Sequence, residues 1–292
     1  MNWPTQFKAF FVWVLVLVCA PAWAAAQTPA PAARVISLSP FVTETIYLLE
    51  AQDQLLADTT YCTVPPEAAK KEKIGSVTQM NVEKIISLQP DLVISSPLSK
   101  KKQLKLLRSQ GLRIMEIRNP KTFDQMCTIT RNIADALGKT AQANALIKQA
   151  VDDVEKVRRQ VAGLIPRRVF IQIGLKPLHT VNKDLFINEY IVMANAVNIA
   201  ENLPSGIYSR EEVIKQNPDV ILVATMGSSK KAAALEKKRW MAFSSLSSAK
   251  NNEIHVLDPE VICHPTPTSF ASGLRQMAAL IHPEIDSDQE PR

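Results

Sequence analysis

From Arg34 almost to the end of the chain, short β-branched apolar runs alternate with segments whose apolar residues return every third or fourth position. The first pattern predicts strands and the second amphipathic helices. In order, "ARVISLSP" reads as a strand, "FVTETIYLLEA" as a helix, and "LLADTTYC" as a strand entering the turn "TVPPEA". A short helix then runs from a cap at Asn81 to Gln89, Pro90-Asp91 turns the chain, and "LVISS" is the next strand. The helix "KKKQLKLLRSQG" stops at Gly111, "LRIMEI" is a strand, and a helix from Thr122 to Leu137 closes at Gly138.

After Pro166 the alternation restarts with the strand "RVFIQIG", the loop "LKPLHTVNKD" and a helix through "FINEYIVMANAV". The strand "DVILVAT", a lysine-rich helix near "KKAAALEKKRW", the strand "EIHVLD", the loop "PEVICHPTPT" and the helix "SFASGLRQMAALI" complete it. Regular alternation of strand and helix predicts α/β structure with parallel-type sheets flanked by helices. Between the two series, Leu146, Ala150, Val151, Val154, Val157 and Val161 define one amphipathic helix from Ala141 to Gly163. At 1.5 Å per residue it would be about 35 Å long, more than one lobe needs. It reads as a rigid connector between two α/β lobes of similar plan, the alternative being a surface helix packed on one lobe. The expected organisation is an N-terminal lobe over 27–140, a linking helix over 141–165 and a C-terminal lobe over 166–292, with a ligand cleft between the lobes.

One phrase is written twice. "NVEKIISLQPDLVI", Asn81 to Ile94, returns as "SREEVIKQNPDVIL", Ser209 to Leu222, with a glutamate seven residues before each Pro-Asp. That spacing pairs Glu83 with Glu211 and not with Glu212. Asn81 and Ser209 occupy cap positions, and Ser209 with Glu212 has the form of a capping box, which gives Glu212 a local role and leaves Glu211 pointing elsewhere. An acid in the first turn is also favoured by the helix dipole without any partner.

Composition narrows the class. The chain has 292 residues, 46% of them hydrophobic, and a formal charge of +6. Residues 1–26 read as a secretory signal, with Lys8, the apolar run "AFFVWVLVLVCA" and small-residue cleavage sites ending at Ala24 or Ala26. Cys19 raises lipid attachment as the alternative, although Val18 precedes it where a small residue is wanted. Removing the signal takes away one lysine and lowers the charge from +6 to +5, too mild to imply nucleic acid. Cys62, Cys127 and Cys263 then remain, an odd number in an oxidising compartment. No nucleophile elbow, phosphate loop, dinucleotide fingerprint or paired catalytic carboxylates are found, and only eight glycines are present. An enzyme, or a protein with a catalytic cofactor, is not expected.

Taken in order, "RVISLSPFVTETIYLL", "YCTVPPEA", "NVEKIISLQPDLVI", "VFIQIG", "SREEVIKQNPDVIL" and "MAALIHPE" resemble one family. It comprises the periplasmic substrate-binding proteins of ABC importers for cobalamin, iron-siderophores and haem, and the similarity covers Arg34 to about Glu284. The cobalamin-binding branch is most similar, through "SREEVI" and "TTYCTVPPEA". The resemblance implies a periplasmic monomer with two lobes on one long helix, carrying a cobalt- or iron-containing chelate to a dimeric permease in the inner membrane. It also implies that one glutamate per lobe, Glu83 and Glu211, docks into arginine-rich pockets on the two permease subunits, where carboxylates and guanidiniums form oriented, charge-assisted pairs.

On the same plan the cleft is lined by loops near Ser39–Thr43, Tyr61–Val64, Ser76–Met80, Lys176–Asp184 and Glu260–Thr268. Tyr61 matches an aromatic position against the corrin ring, the alternative being a tyrosine buried in its lobe. Thr78 and Val261-Ile262 stand where cobalamin binders carry aromatics, which leaves another corrinoid, haem or a siderophore open. Cys62, His179, Cys263 and His264 fall on the expected cleft loops and could ligate the metal of a chelate. The alternatives are a Cys62–Cys263 bridge and solvated histidines. Scattered histidines without paired ligand spacing do not suit a bare-metal receptor. His255 and His282 read as structural. A tetrapyrrole carrier that serves no permease would keep the cleft and need neither glutamate.

Overall fold

Strands covered on both faces read as unbroken apolar runs, and those at the centre of each sheet here are of that kind. The computed structural model describes residues 30–225, 230–258, 262 and 265–288. In the first sheet β1 (Val35–Ser37) and β4 (Leu92–Ile94) are wholly buried. With β2 (Leu55–Asp58), β3 (Glu72–Lys73) and β5 (Ile114–Met115) they form a parallel sheet of order β3-β2-β1-β4-β5. Between these strands lie α1 (Pro40–Leu48), a 3-10 turn at Pro66–Lys70, α2 (Val82–Ser87) and α3 (Lys101–Ser109).

The second sheet is built on β6 (Arg167–Gly174). Along one edge it pairs in parallel with β9 (Val220–Val223), which pairs in turn with β10 (Ile254–Val256). Its other edge takes β8 (Ala196–Asn198) in parallel over Arg167–Val169 and then β7 (His179–Thr180) antiparallel over Gln172–Gly174. Helices α6 (Ile187–Met193), α7 (Arg210–Gln216), α8 (Lys230–Met241) and α9 (Ser247–Lys250) connect these strands, and α10 (Pro267–Ile281) follows β10. Thus two α/β lobes of similar plan flank α4 (Phe123–Leu137) and α5 (Thr140–Val161) in sequence.

Two expectations change here. The helix expected through residue 197 ends at Met193, because Asn195 adopts a left-handed φ of 52°. Asparagine tolerates that conformation, and its amide donates to Val161 O and Leu164 O, each at 2.9 Å, so the next residues turn back as β8. The expected loop at 175–184 contains β7, which can lie against β6 because Gly174 has no side chain. A Cβ there would come 2.9 Å from the Cβ of His179.

The doubled phrase folds the same way twice. Asn81 Oδ1 accepts from Lys84 N at 2.9 Å and Ser209 Oγ from Glu212 N at 3.0 Å, capping α2 and α7. The aspartates explain the rest of the repeat. Asp91 accepts from Ala33 N at 2.8 Å and Arg34 N at 3.1 Å, while its own N–H donates to Arg34 O. Asp219 likewise accepts from Arg168 N at 2.8 Å and donates to Arg168 O. Each aspartate therefore fastens the start of β4 or β9 to the start of the central strand beside it. The expected capping box closes on one side only, since the Glu212 carboxylate accepts from Gln216 Nε2 at 3.3 Å instead.

The central helix α5 has 22 residues, about 33 Å at 1.5 Å each. Its buried face, Ala143, Ile147, Ala150, Val154, Val157 and Val161, packs against both α4 and α10. One apolar cluster consequently runs from Val35 and Ile94 in the first lobe through these helices to Val169 and Leu222 in the second. At its middle, Phe270 of α10 stacks on Phe123 of α4 at 4.9 Å between ring centroids and meets Tyr190 at 4.3 Å and Phe186 at 5.4 Å. Polar ties accompany this seam: Phe123 N donates to Glu189 Oε1 at 3.3 Å, and Thr266 Oγ1 to Glu44 Oε1 at 3.2 Å. Lys121 also pairs with Asp184 at 3.5 Å.

Candidate functional site

In open parallel sheets ligands bind outside the carboxyl ends of the strands. At that edge of the first sheet, β2 runs into a tight turn in which Cys62 N donates to Thr59 O at 3.0 Å. The turn buries Cys62 completely and leaves Tyr61 65% exposed, so the tyrosine is not part of its lobe's core. Below it the Cys62 thiol lies 3.1 Å from Thr43 Oγ1 and 3.2 Å from Thr59 Oγ1. Lys73 braces the same turn, donating to Asp58 Oδ1 at 2.6 Å, Cys62 O at 3.1 Å and Ala68 O at 2.9 Å. Burial pushes the Asp58 carboxyl up, with the Lys73 ammonium opposing it.

Thr78 sits exposed on a neighbouring turn, joined to the first by the bond from Thr60 N to Gly75 O at 2.9 Å. Gly75 has φ of 101°, and a Cβ there would come 2.4 Å from Gln79 O, so only glycine permits this turn. Tyr61 and Thr78 are therefore carried on two loops fastened to each other. Val64, after β2, and Leu98, after β4, add exposed apolar side chains at the same edge. Val64 closes the expected cleft loop Tyr61–Val64, whereas Leu98 lies on none of the expected loops, although an apolar residue inside the turn "SSPLS" is the signal that marks it.

On the second lobe His179 is exposed at the carboxyl end of β6. Its ring lies against Gly174, and β7 is held by the bond from Thr180 N to Gly206 O at 2.8 Å. Other candidates do not join it. Ile262 is withdrawn into the apolar cluster at 1% exposure and offers a ligand no surface, a correction to its expected place on a cleft loop. The expected metal role of Cys62 does not suit a buried thiol whose pKa burial pushes up, because metals bind the thiolate. Cys62 and Cys127 are free thiols. Cys263 and His264, with Glu260 and Val261 beside them, lie outside the described residues, as do residues 1–26. Among the described residues no three His, Cys, Asp or Glu side chains gather closely enough to hold a metal ion. His255 Nε2 lies 3.0 Å from Glu253 Oε2, and the buried His282 Nε2 lies 3.0 Å from Ala194 O.

Glu83 and Glu211 are each the second residue of a capped helix, α2 and α7, and both are exposed. Neither makes a hydrogen bond or ion pair among the described residues, whereas Glu212 is occupied by Gln216 and, at 3.9 Å, by Lys215. Two equivalent carboxylates are thus free, one per lobe.

Two α/β lobes on one helix, with a braced aromatic loop at a strand edge, are the plan of a two-lobed binding protein, and no helix among the described residues is long and apolar enough to cross a membrane. The chain belongs to the periplasmic binding protein family, whose profile matches residues 35–261. It is 30% identical over 259 residues to the uncharacterized ABC transporter substrate-binding lipoprotein YvrC of Bacillus subtilis, covering 86% of this chain and 80% of that one. It is 30% identical over 250 residues to the vitamin B12-binding protein of Vibrio cholerae, covering 83% and 87%. The crystal structure of the periplasmic vitamin B12-binding protein BtuF of Vibrio cholerae superposes with a TM-score of 0.74 at 27% identity, over 89% of this chain and 99% of that one.

Proposed function

We propose that this protein captures a corrinoid, cobalamin or a close relative, in the periplasm and delivers it to an ABC importer without chemical change. The observation that carries the reading is Tyr61, a large ring held out from the carboxyl edge of the first sheet by a turn anchored beneath it. A tyrosine with an apolar face and a polar tip suits a broad planar ligand edged with amides. The vitamin B12-binding relatives support the same choice. The helices α4, α5 and α10 brace the lobes against each other, so capture proceeds with little closure. Glu83 and Glu211 dock the loaded receptor, as a monomer, onto the two halves of the permease.

Exposed His179 favours a second reading, in which its imidazole ligates the iron of haem or a related chelate. Calorimetry and visible spectroscopy of the purified protein with cyanocobalamin, cobinamide, haemin and ferric siderophores separate the two. Tight corrinoid binding that Tyr61→Ala weakens supports the first reading. A shifted haem absorption band lost in His179→Ala supports the second, and no binding below about 10 μM refutes both. A Glu83→Ala/Glu211→Ala variant that keeps ligand binding and loses uptake is the expected result. Normal uptake would refute the docking role of the two glutamates, the outcome that a carrier serving no permease predicts.

A further inference from the structure

Beside one of the proposed docking carboxylates lies a buried ionic network whose spacing in sequence hides it. Glu236 of α8 is 1% exposed, and its carboxylate is bound by Arg210 and Arg239 and accepts from Gln172 Nε2 at 3.1 Å. Gln172 also accepts from Trp240 Nε1 at 2.7 Å. The Arg210 guanidinium lies over the Trp240 ring, 4.5 Å from its centroid. Arg210 is the first residue of α7, immediately before Glu211.

A cation at a helix start opposes the helix dipole, and this one adjoins a carboxylate proposed to meet arginines. The other lobe has no such problem. Val82 occupies the corresponding first position of α2, and the nearest cation, Lys84, pairs with exposed Glu72 and donates to Lys73 O at 2.9 Å. The buried counter-charge is thus found beside the docking residue that has an arginine next to it.

We propose that Glu236 is a positioning residue for docking: by drawing Arg210 inward over Trp240, it keeps that guanidinium from repelling an arginine-rich partner and leaves the Glu211 carboxylate available. The proposal rests on the docking role of Glu211. Without Glu236, Arg210 would be an uncompensated charge one residue from the contact, and like charges facing each other across an interface weaken it.

The test is binding of the signal-free protein to its cognate permease complex in nanodiscs by interferometry, with thermal unfolding confirming that each variant is folded. Glu236→Gln is expected to weaken docking about tenfold, and adding Arg210→Met to restore it to within about twofold, because the two residues act as a coupled pair. A merely structural network would give the opposite, since the double variant removes more of it. Docking by Glu236→Gln as tight as by the unmodified protein, or a double variant no better than the single, overturns the proposal. Should Glu236→Gln fail to fold, Glu236→Asp, whose shorter reach loosens Arg210, is compared with and without Arg210→Met under the same criteria. Glu211→Ala separates the two layers. If it docks normally, the docking role falls and this proposal with it; if it docks weakly while Glu236→Gln docks normally, only this proposal falls.

Discussion

Phe270 is where the two lobes are most directly joined, and its truncation should report on both. The side chain is fully buried, with three aromatic rings at centroid distances of 4.3, 4.9 and 5.4 Å. Phe→Ala in a packed core costs about 3–5 kcal/mol through lost transfer and the cavity left behind. Here the ring partners are Phe123 of α4, Tyr190 of α6 and Phe186 just before α6, and α4, α5 and α6 all pack against α10, so the site has little freedom to collapse. The expected loss is about 4 kcal/mol, a large part of a typical total of about 5–15 kcal/mol. At about 2 °C per kcal/mol for a chain of this size, the melting midpoint should fall by about 8 °C. Urea unfolding followed by tryptophan fluorescence and far-UV circular dichroism is the assay. Because one apolar cluster spans both lobes, the variant should still unfold in a single transition, with its midpoint lowered and its slope unchanged. A loss under about 1.5 kcal/mol, below the range for core truncation, would refute the packing argument. A second transition at the original midpoint would refute the coupling of the lobes.

Asp91→Ala and Asp219→Ala should each cost about 1.5–2 kcal/mol, the lower part of the range for charged hydrogen bonds because both sites are partly or fully exposed. Asparagine at either position should recover part of it, and urea midpoints unchanged in all four variants would exclude the pinning role. Burial raises the Glu189 carboxyl above its ordinary range, Asp124 adding to this while the Phe123 N–H and Arg158 oppose it. The stability it contributes is therefore full below the unfolded pKa and is lost as pH rises through the higher folded pKa. Glu189→Gln should gain on the unmodified protein between about pH 4 and pH 7 in urea midpoint, and a widening loss over that range would contradict the assignment. The Cys127 thiol, buried and pushed up to about 11, should resist iodoacetamide at neutral pH until urea is added; rapid labelling of the native protein would show that it is accessible.

Much of the architecture was legible because it is local. The caps at Asn81, Thr122 and Ser209, the left-handed stop at Gly138 and the spacing along α5 each depend on residues within a few positions. Strands β3, β7 and β8 were not legible, because two or three residues carry no periodicity and their identity comes from the edge they join. The helix start in "FINEYIVM" ran on through "ANAV" in the reading because nothing nearby announces that Asn195 bonds to residues more than 30 positions earlier. The function of the repeated aspartates depends on Arg34 and Arg168, more than 50 positions before them. Within the proposed site, Tyr61 was singled out by resemblance and Glu211 by its spacing from Pro-Asp; the turn that exposes Tyr61 and the Gln216 bond that occupies Glu212 are features of the fold. Ile262 was misplaced because a proline-rich neighbourhood says loop, while burial is decided by α10 and the apolar cluster behind it.

The seam closed by α10 also sets an order of events. The first sheet is complete in sequence by Met115, but Phe270 and the face that covers α5 lie in the final stretch of the chain. During synthesis the part of α5 that packs on α10 stays uncovered until Pro267–Ile281 has been made, while α4 already covers the rest of its inner face. A product cut short before Pro267 would keep that stripe exposed, and such surface is what chaperones and proteases recognise in unfinished proteins. Synthesis of α10 and concealment of that part of α5 are thereby one event, so copies cut short before α10 carry their own mark for removal.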